Sequence, residues 1–234
     1  MYQDWTDADT ARDWSADPTT HNPLRVEQLD IMLAILQDLY QPGTAILDIG
    51  MGSGIVEELI FKRIPGAQIV GIDSSEAMVE LARERLHNYR NQYTVVMHDL
   101  RDMDTIQLPA ADYGAIISVQ TIHNVPDEHK RKTFALAYRT LKKGGVFLLL
   151  DRIAVETPAL FDCYSSLWKR QENVYGARLP EGATFAEHGE RVTARGDLPA
   201  SLEQHLQWLR EAGFSVACLH LHGNRALFAA KREG

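Results

Sequence analysis

Apolar positions along this chain fall into two rhythms. Short continuous apolar runs, suited to strands buried on both faces of a sheet, occur at 44–49, 68–72, 93–97, 112–119 and 146–150. Between them apolar residues recur at helical spacing: Val56, Leu59, Ile60 and Ile64, then Met78, Leu81, Ala82 and Leu86, then Phe134, Tyr138 and Leu141. Ahead of the first run, Val26, Leu29, Leu33, Leu36 and Tyr40 make one stripe, predicting a helix opened by Pro23 and ended by Pro42-Gly43. Pro65-Gly66 reads as a turn, Ser74 or Ser75 as a helix cap with Glu76 in the first turn, Pro126-Asp127 as a helix start and Gly144-Gly145 as its end. Strands alternating with helices at this spacing imply right-handed βαβ units, hence an α/β fold on a parallel sheet.

The rhythm breaks over 154–199, which mixes aromatics with charges and is too long for a plain loop, so helices are expected inside it. It resumes with Ser201 and Gln204, a capping-box pair, ahead of Leu202, Leu206 and Leu209, with Gly213 closing the helix. Two runs, 214–221 and 225–230, flank Gly223-Asn224 as a hairpin. The segment 1–22 is polar but holds Tyr2, Trp5 and Trp14, and tryptophans are costly to leave in water, so it is expected to pack on the rest.

Composition narrows the function. The 234 residues allow one sizeable domain. A net charge of −8 argues against broad nucleic-acid binding. Two cysteines, Cys163 and Cys218, are too few for a disulfide framework or a metal site, so free thiols and no metal are expected. The first residues lack the apolar stretch of a signal peptide, and 146–150 is too short to span a membrane, so the expectation is a soluble cytoplasmic protein.

In parallel sheets ligands bind beyond the carboxyl ends of the strands, near the point where strand order reverses. The residues at those ends are Asp48, Asp73, Asp99, Gln120 to Asn124, and Asp151. After the first run comes Asp48-Ile49-Gly50-Met51-Gly52-Ser53-Gly54. The dinucleotide fingerprint fails because Ile55 stands where its third glycine belongs, and no Gly-Lys-Ser/Thr follows to make a phosphate loop. An acid followed by three alternate glycines resembles the first motif of class I S-adenosylmethionine-dependent methyltransferases. The resemblance covers about 44–153 by motif and 200–231 by pattern. It implies a Rossmann-like seven-stranded, mostly parallel sheet with helices on both faces and a C-terminal antiparallel hairpin. It also implies one domain divided into a helical cap (1–43), a cofactor-binding core (44–153), a lid or acceptor insert (154–199) and a C-terminal helix and hairpin (200–234).

The same resemblance places S-adenosylmethionine along Asp48, Gly50, Gly52, Gly54, Asp73, Ser74, Met78, Asp99, Leu100 and Gln120. Asp48 would meet the amino end of the cofactor, Asp73 the ribose diol, and Asp99 with Leu100 the adenine. A carboxylate suits each partner, since it attracts an ammonium and accepts from hydroxyls and amines. His123 is the histidine at a strand end that can accept a proton from a hydroxyl acceptor, or else only shape the pocket. With the strand ends given to the cofactor, the insert residues Tyr164, Trp168, Arg170 and Tyr175 are expected to select a small-molecule acceptor. A second reading is an enzyme acting on RNA. Leu167-Trp168-Lys169-Arg170 with Tyr175 is similar to the lid of the enzyme that carboxymethylates the wobble uridine of tRNA, and Lys130, Arg131, Lys132, Lys142 and Lys143 can form a basic patch. A third is a nonenzymatic cofactor-binding protein. A homodimer is an accompanying expectation.

Overall fold

The computed structural model describes residues 5–16, 24–109, 112–175 and 184–234, the side chain of Tyr175 excepted. Its strands are β1 (Ala45–Ile49), β2 (Gln68–Asp73), β3 (Tyr93–Met97), β4 (Tyr113–Val119), β5 (Leu141–Arg152), β6 (Ser215–His222) and β7 (Arg225–Lys231). They form one seven-stranded sheet in the order β3-β2-β1-β4-β5-β7-β6. Every neighbouring pair is parallel except β5–β7 and β6–β7, so β7 alone runs against the rest. Chain order reverses between β1 and β4, which opens a crevice at the carboxyl edge there. The fold expected from the resemblance is therefore the one observed.

The helices are α1 (Ala8–Ala16), α2 (Arg25–Leu39), α3 (Ile55–Arg63), α4 (Glu76–Arg85), α5 (Asp127–Thr140), α6 (Phe161–Tyr175), α7 (Phe185–Ala194) and α8 (Leu202–Glu211). Strand periodicity sorts the core into two layers. Leu47, Ile116, Phe147 and Leu149 face one side and pack with Phe134 of α5 and Trp208 and Leu209 of α8. Ile46, Ile117, Leu148 and Leu150 face the other and pack with Met32, Leu33 and Leu36 of α2 and Ile60 of α3. Each such side chain, fully buried, contributes roughly 1.5–3 kcal/mol, so the continuous apolar runs are accounted for by a sheet covered on both faces.

Several local expectations shift. Helix α2 starts at Arg25, and Pro23 lies outside the described residues. Val26 is 63% exposed, while Arg25 and Gln28 turn inward with Leu29, Met32, Leu33 and Leu36. Helix α5 ends at Thr140, so Leu141 belongs to β5, and Gly144-Gly145 sits inside that strand. Pairing jumps there from Tyr113–Leu141 to Ala115–Val146, a bulge that the positive φ of Gly144 (+78°) accommodates. Ser75, not Ser74, caps α4, accepting from the Met78 N–H. Both cysteines are free, and no described helix is long and apolar enough to cross a membrane.

Candidate active site

The loop after β1 forms the floor of a cavity at the carboxyl edge of β1, β2 and β4. Its shape is fixed by the Ile72 carbonyl, which accepts from the N–H groups of Gly50 (2.8 Å) and Met51 (3.0 Å). The glycines serve different ends. At Gly50 (φ +87°) a Cβ would lie 2.2 Å from the Thr121 side chain, so only glycine lets β1 and β4 end side by side. At Gly52 (φ +56°) a Cβ would meet nothing within 4 Å, and its space belongs to the cavity. At Gly54 a Cβ would press on Leu86 (3.0 Å) and the Ala82 Cα (3.2 Å), a packing constraint between α3 and α4.

Asp73, the last residue of β2, holds the loop from above. Its Oδ2 accepts from Gly52 N–H (2.8 Å) and its Oδ1 from Ser75 N–H (2.9 Å). Burial raises its pKa against the pull of these N–H groups. Asp99 also lines the cavity, and both its oxygens already accept from Arg101: from the backbone N–H (2.8 Å), from Nε (3.0 and 3.1 Å) and from Nη2 (2.6 Å). The Arg101 hydrogen bonds hold this carboxyl below its usual range. Ser74, Met78 and Leu100 complete this wall. Gln120 ends β4 at φ +55°, a left-handed conformation costly for a residue with a Cβ. Its N–H donates to the Leu150 carbonyl (2.8 Å), and its Nε2 is buried without a partner among the described residues.

Two residues of the glycine motif sit elsewhere. Gly54 faces α4, as above, and Asp48 lies beneath the loop, 1% exposed and off the cavity lining. Asp48 meets Glu57, a fully buried acid of α3 that the periodic pattern gave no reason to single out. Asp48 Oδ1 and both Glu57 carboxyl oxygens are buried without a hydrogen-bond partner that donates a fixed proton. Burial pushes Asp48 up to about 7, and burial with the Asp48 charge lifts Glu57 well above its ordinary value.

His123 does not line the cavity either. It is 5% exposed and sits between two acids: Nδ1 is hydrogen-bonded to Asp151 Oδ1 at 2.5 Å, and Nε2 lies 3.6 Å from Asp197 Oδ2. Asp197 in turn pairs with Arg152. Burial lowers the His123 pKa, and the charge and hydrogen bond of Asp151 act against that shift. The His123 carbonyl also accepts from Leu198 N–H (2.6 Å). This network ties the turn after β4 to the end of β5 and to residues 197–198. It gives His123 the place of an anchor, and a proton acceptor for a ligand would have to reach the cavity that this ring does not.

The insert residues expected to select the acceptor gather around Phe185 instead. Ring centroids of Tyr164 and Trp168 lie 4.8 and 5.1 Å from Phe185, and Trp168 stands edge-on to His188 at 4.2 Å. Trp168 is 6% exposed, Arg170 is on the surface, and neither they nor Tyr164 line the cavity. The Tyr175 side chain lies outside the described residues. Helices α6 and α7 need a core of their own, and these aromatics supply it. The basic residues are equally engaged. Lys130 is fully buried, donating to Asp127 (2.7 Å) and the Leu198 carbonyl (2.5 Å), while Arg131 pairs with Glu211 (3.0 Å), Lys132 with Asp104 (2.7 Å) and Lys142 with Asp112 (3.6 Å).

What covers the cavity is the N-terminal segment. Ser75 Oγ donates to the Trp5 carbonyl (2.5 Å), and Ser15 Oγ donates to Ser53 Oγ (3.0 Å) while accepting from Arg85 Nη2 (3.0 Å). Trp5 and Trp14 meet edge to face at 6.0 Å and line the cavity, and Arg25 lies over the Trp14 ring at 5.1 Å. The aromatic content of 1–22 signalled packing, but nothing in the α2 pattern marked Arg25 as a cavity residue.

Residues 46–145 match the family model for a methyltransferase domain. A carboxy-S-adenosyl-L-methionine synthase from Nautilia profundicola is 22% identical over 209 residues, covering 89% of this chain and 86% of that protein. An O-methyltransferase family protein from Burkholderia thailandensis has a TM-score of 0.66 at 17% identity, over 98% of this chain and 62% of that one. Phosphoethanolamine N-methyltransferase 2 from Haemonchus contortus, solved in complex with S-adenosyl-L-methionine, has a TM-score of 0.61 at 20% identity, over 88% of this chain and 53% of that one. The chain thus spans less than two thirds of either solved protein, and likeness at these identities establishes the fold alone.

Proposed function

We propose that the chain is a class I S-adenosylmethionine-dependent methyltransferase, a reading supported by the methyltransferase-domain match over residues 46–145, and that it methylates a small-molecule acceptor enclosed in this cavity. The cofactor supplies, when bound, a methyl group made electrophilic by its sulfonium. The residues present fit it. Gly52 leaves the space that a Cβ would fill, and Asp73 offers carboxylate oxygens at the end of β2 for a diol. Met78 and Leu100 supply apolar wall. Asp99 is committed to Arg101, so this acid shapes the wall and has to share a donor to hold an adenine amine. The chain's contribution to rate is then placement of the acceptor and exclusion of water.

The observation that carries the small-molecule reading is the cover. Trp5 and Trp14 close over the cavity, which suits a ligand that fits beneath them and not a polymer laid across the sheet edge. The pairing of Arg131, Lys132 and Lys142 with acids also weighs against the RNA reading. The test is incubation of the purified protein with methyl-labelled cofactor and either pooled small metabolites or total tRNA. Label is expected in a small molecule, and label in tRNA alone overturns the reading. A second reading, formation of a carboxylated cofactor, draws on the name of the Nautilia relative. Mass spectrometry of the cofactor recovered from the metabolite incubation separates the two.

A further inference from the structure

Arg25 is 4% exposed, lines the cavity, and makes no hydrogen bond or ion pair among the described residues. A buried guanidinium without an acid is rare, because taking its charge out of water is repaid only by a partner. Its one contact of note is Trp14, whose ring takes one face of the guanidinium plane at 5.1 Å. The donors of arginine lie in that plane, so the stacking leaves them free to fork onto a planar anion.

The surroundings reinforce this. Arg225 opens β7 and Arg152 closes β5, paired across the two strands at the carboxyl edge, and the Nε of each is buried without a partner among the described residues. Of the acids nearby, Asp197 pairs with Arg152, and Asp151 meets His123 through Oδ1 and leaves its Oδ2 to face the charges of Arg152 and Arg225. Burial alone brings Arg25 down to about 10, with no acid acting against it, and the charge of Arg25 bears on Arg225. Gln120, on the same cavity, has a buried amide nitrogen likewise without a partner among the described residues.

We propose that Arg25 is the receptor for a carboxylate bound in this cavity, with the Gln120 amide as a second donor. A single planar fork beside an amide matches the two coplanar oxygens of a carboxylate. This rests on the reading of the cavity as the cofactor and acceptor site. Two sources carry that chemistry: the amino-acid end of the cofactor, and an acceptor that is itself an acid.

Calorimetric titration of wild type, Arg25→Met and Arg25→Lys with S-adenosylhomocysteine and with 5′-methylthioadenosine, which lacks the amino-acid end, tests the first source. Thermal shifts of the S-adenosylhomocysteine complex with benzoate and with its neutral counterpart benzamide test the second. If the cofactor supplies the carboxylate, Arg25→Met binds S-adenosylhomocysteine at least tenfold more weakly, 5′-methylthioadenosine is unchanged, and Arg25→Lys recovers part of the loss. If the acceptor supplies it, S-adenosylhomocysteine binding stays within threefold. Benzoate then stabilises the wild-type complex, benzamide does not, and Arg25→Met abolishes the benzoate shift. Unchanged S-adenosylhomocysteine binding with no benzoate shift that depends on Arg25 overturns the proposal. So does a parallel loss of both nucleosides, which would make Arg25 a structural support of the cavity. Failure of wild type to bind either nucleoside removes the reading of the cavity itself and is distinguishable from both.

Discussion

The carboxyl edge of the sheet carries two groups of buried charge, and they answer protons in opposite directions. Under β1 and β2, Asp48, Glu57 and Asp73 are all held above their ordinary values, first by burial. Around the end of β5, His123, His188 and His205 are held below theirs, again first by burial, among Arg152 and Arg225. The same desolvation acts on both, and its sign follows the charge of the group. In each group burial therefore favours the uncharged form, the acids by holding their protons and the histidines by releasing theirs.

Four experiments press on that contrast. The largest effect belongs to the far side, where the aromatic cluster around Phe185 is architecture. Trp168→Ala is expected to cost ~3–5 kcal/mol by denaturant unfolding, with S-adenosylhomocysteine affinity within about threefold of wild type. Loss of turnover in that variant without loss of stability would return Trp168 to the acceptor pocket. On the near side, Gly52→Val fills open space with a branched side chain. Calorimetry should show at least ~100-fold weaker S-adenosylhomocysteine binding, about 2.7 kcal/mol, while circular dichroism keeps the native secondary structure. Normal affinity there would mean that the loop is not the floor of the site. Asp73→Ala removes the acceptor for Gly52 and Ser75 together with the proposed diol contact. A loss of about 1–3 kcal/mol in the same titration is expected, and an unchanged dissociation constant would leave Asp73 as a loop brace alone.

The smallest effect is on the pH dependence of stability. For the acids the folded pKa is raised, Asp48 to about 7, so their contribution is intact below the unfolded carboxylate range and is lost as pH rises toward 7. For the histidines the folded pKa is lowered, His188 from 6.5 to about 3, so their contribution is intact above 6.5 and is lost as pH falls below it. Urea unfolding from pH 5 to 8 should show Glu57→Gln relieving the loss on the high side and His188→Phe relieving it on the low side, each by about 1 kcal/mol. Identical pH profiles for the two variants would erase the contrast.

The near side was legible because its residues are punctuated by strand ends. Gly50, Gly52, Asp73, Asp99 and Gln120 lie where β1 to β4 stop, the resemblance adds Ser74, Met78 and Leu100, and all line the cavity. Asp48 and Gly54 belong to the same motif, but one faces inward and the other faces α4, and spacing alone does not separate support from lining. The far side resisted reading because aromatic content says that a segment buries surface and not against what. Trp168 packs within its own insert, whereas Trp5 and Trp14 pack over the site. Arg25 was invisible because the first turn of an amphipathic helix is the usual place for a solvated charge, and only the overlying Trp14 makes it an interior one.

The cover has a kinetic consequence. Trp5 fastens residues 5–16 to Ser75 through one hydrogen bond, and Ser15 fastens them to Ser53 and Arg85 through two. Each fastening is weak on its own, so the segment can open at little cost to admit or release a ligand. Stopped-flow release of S-adenosylhomocysteine from Ser15→Ala, faster than from wild type at unchanged association rate, is the expected sign that this opening limits exit. Compounds of very different affinity would share a similar off-rate ceiling, and turnover would be paced by the release of the spent cofactor.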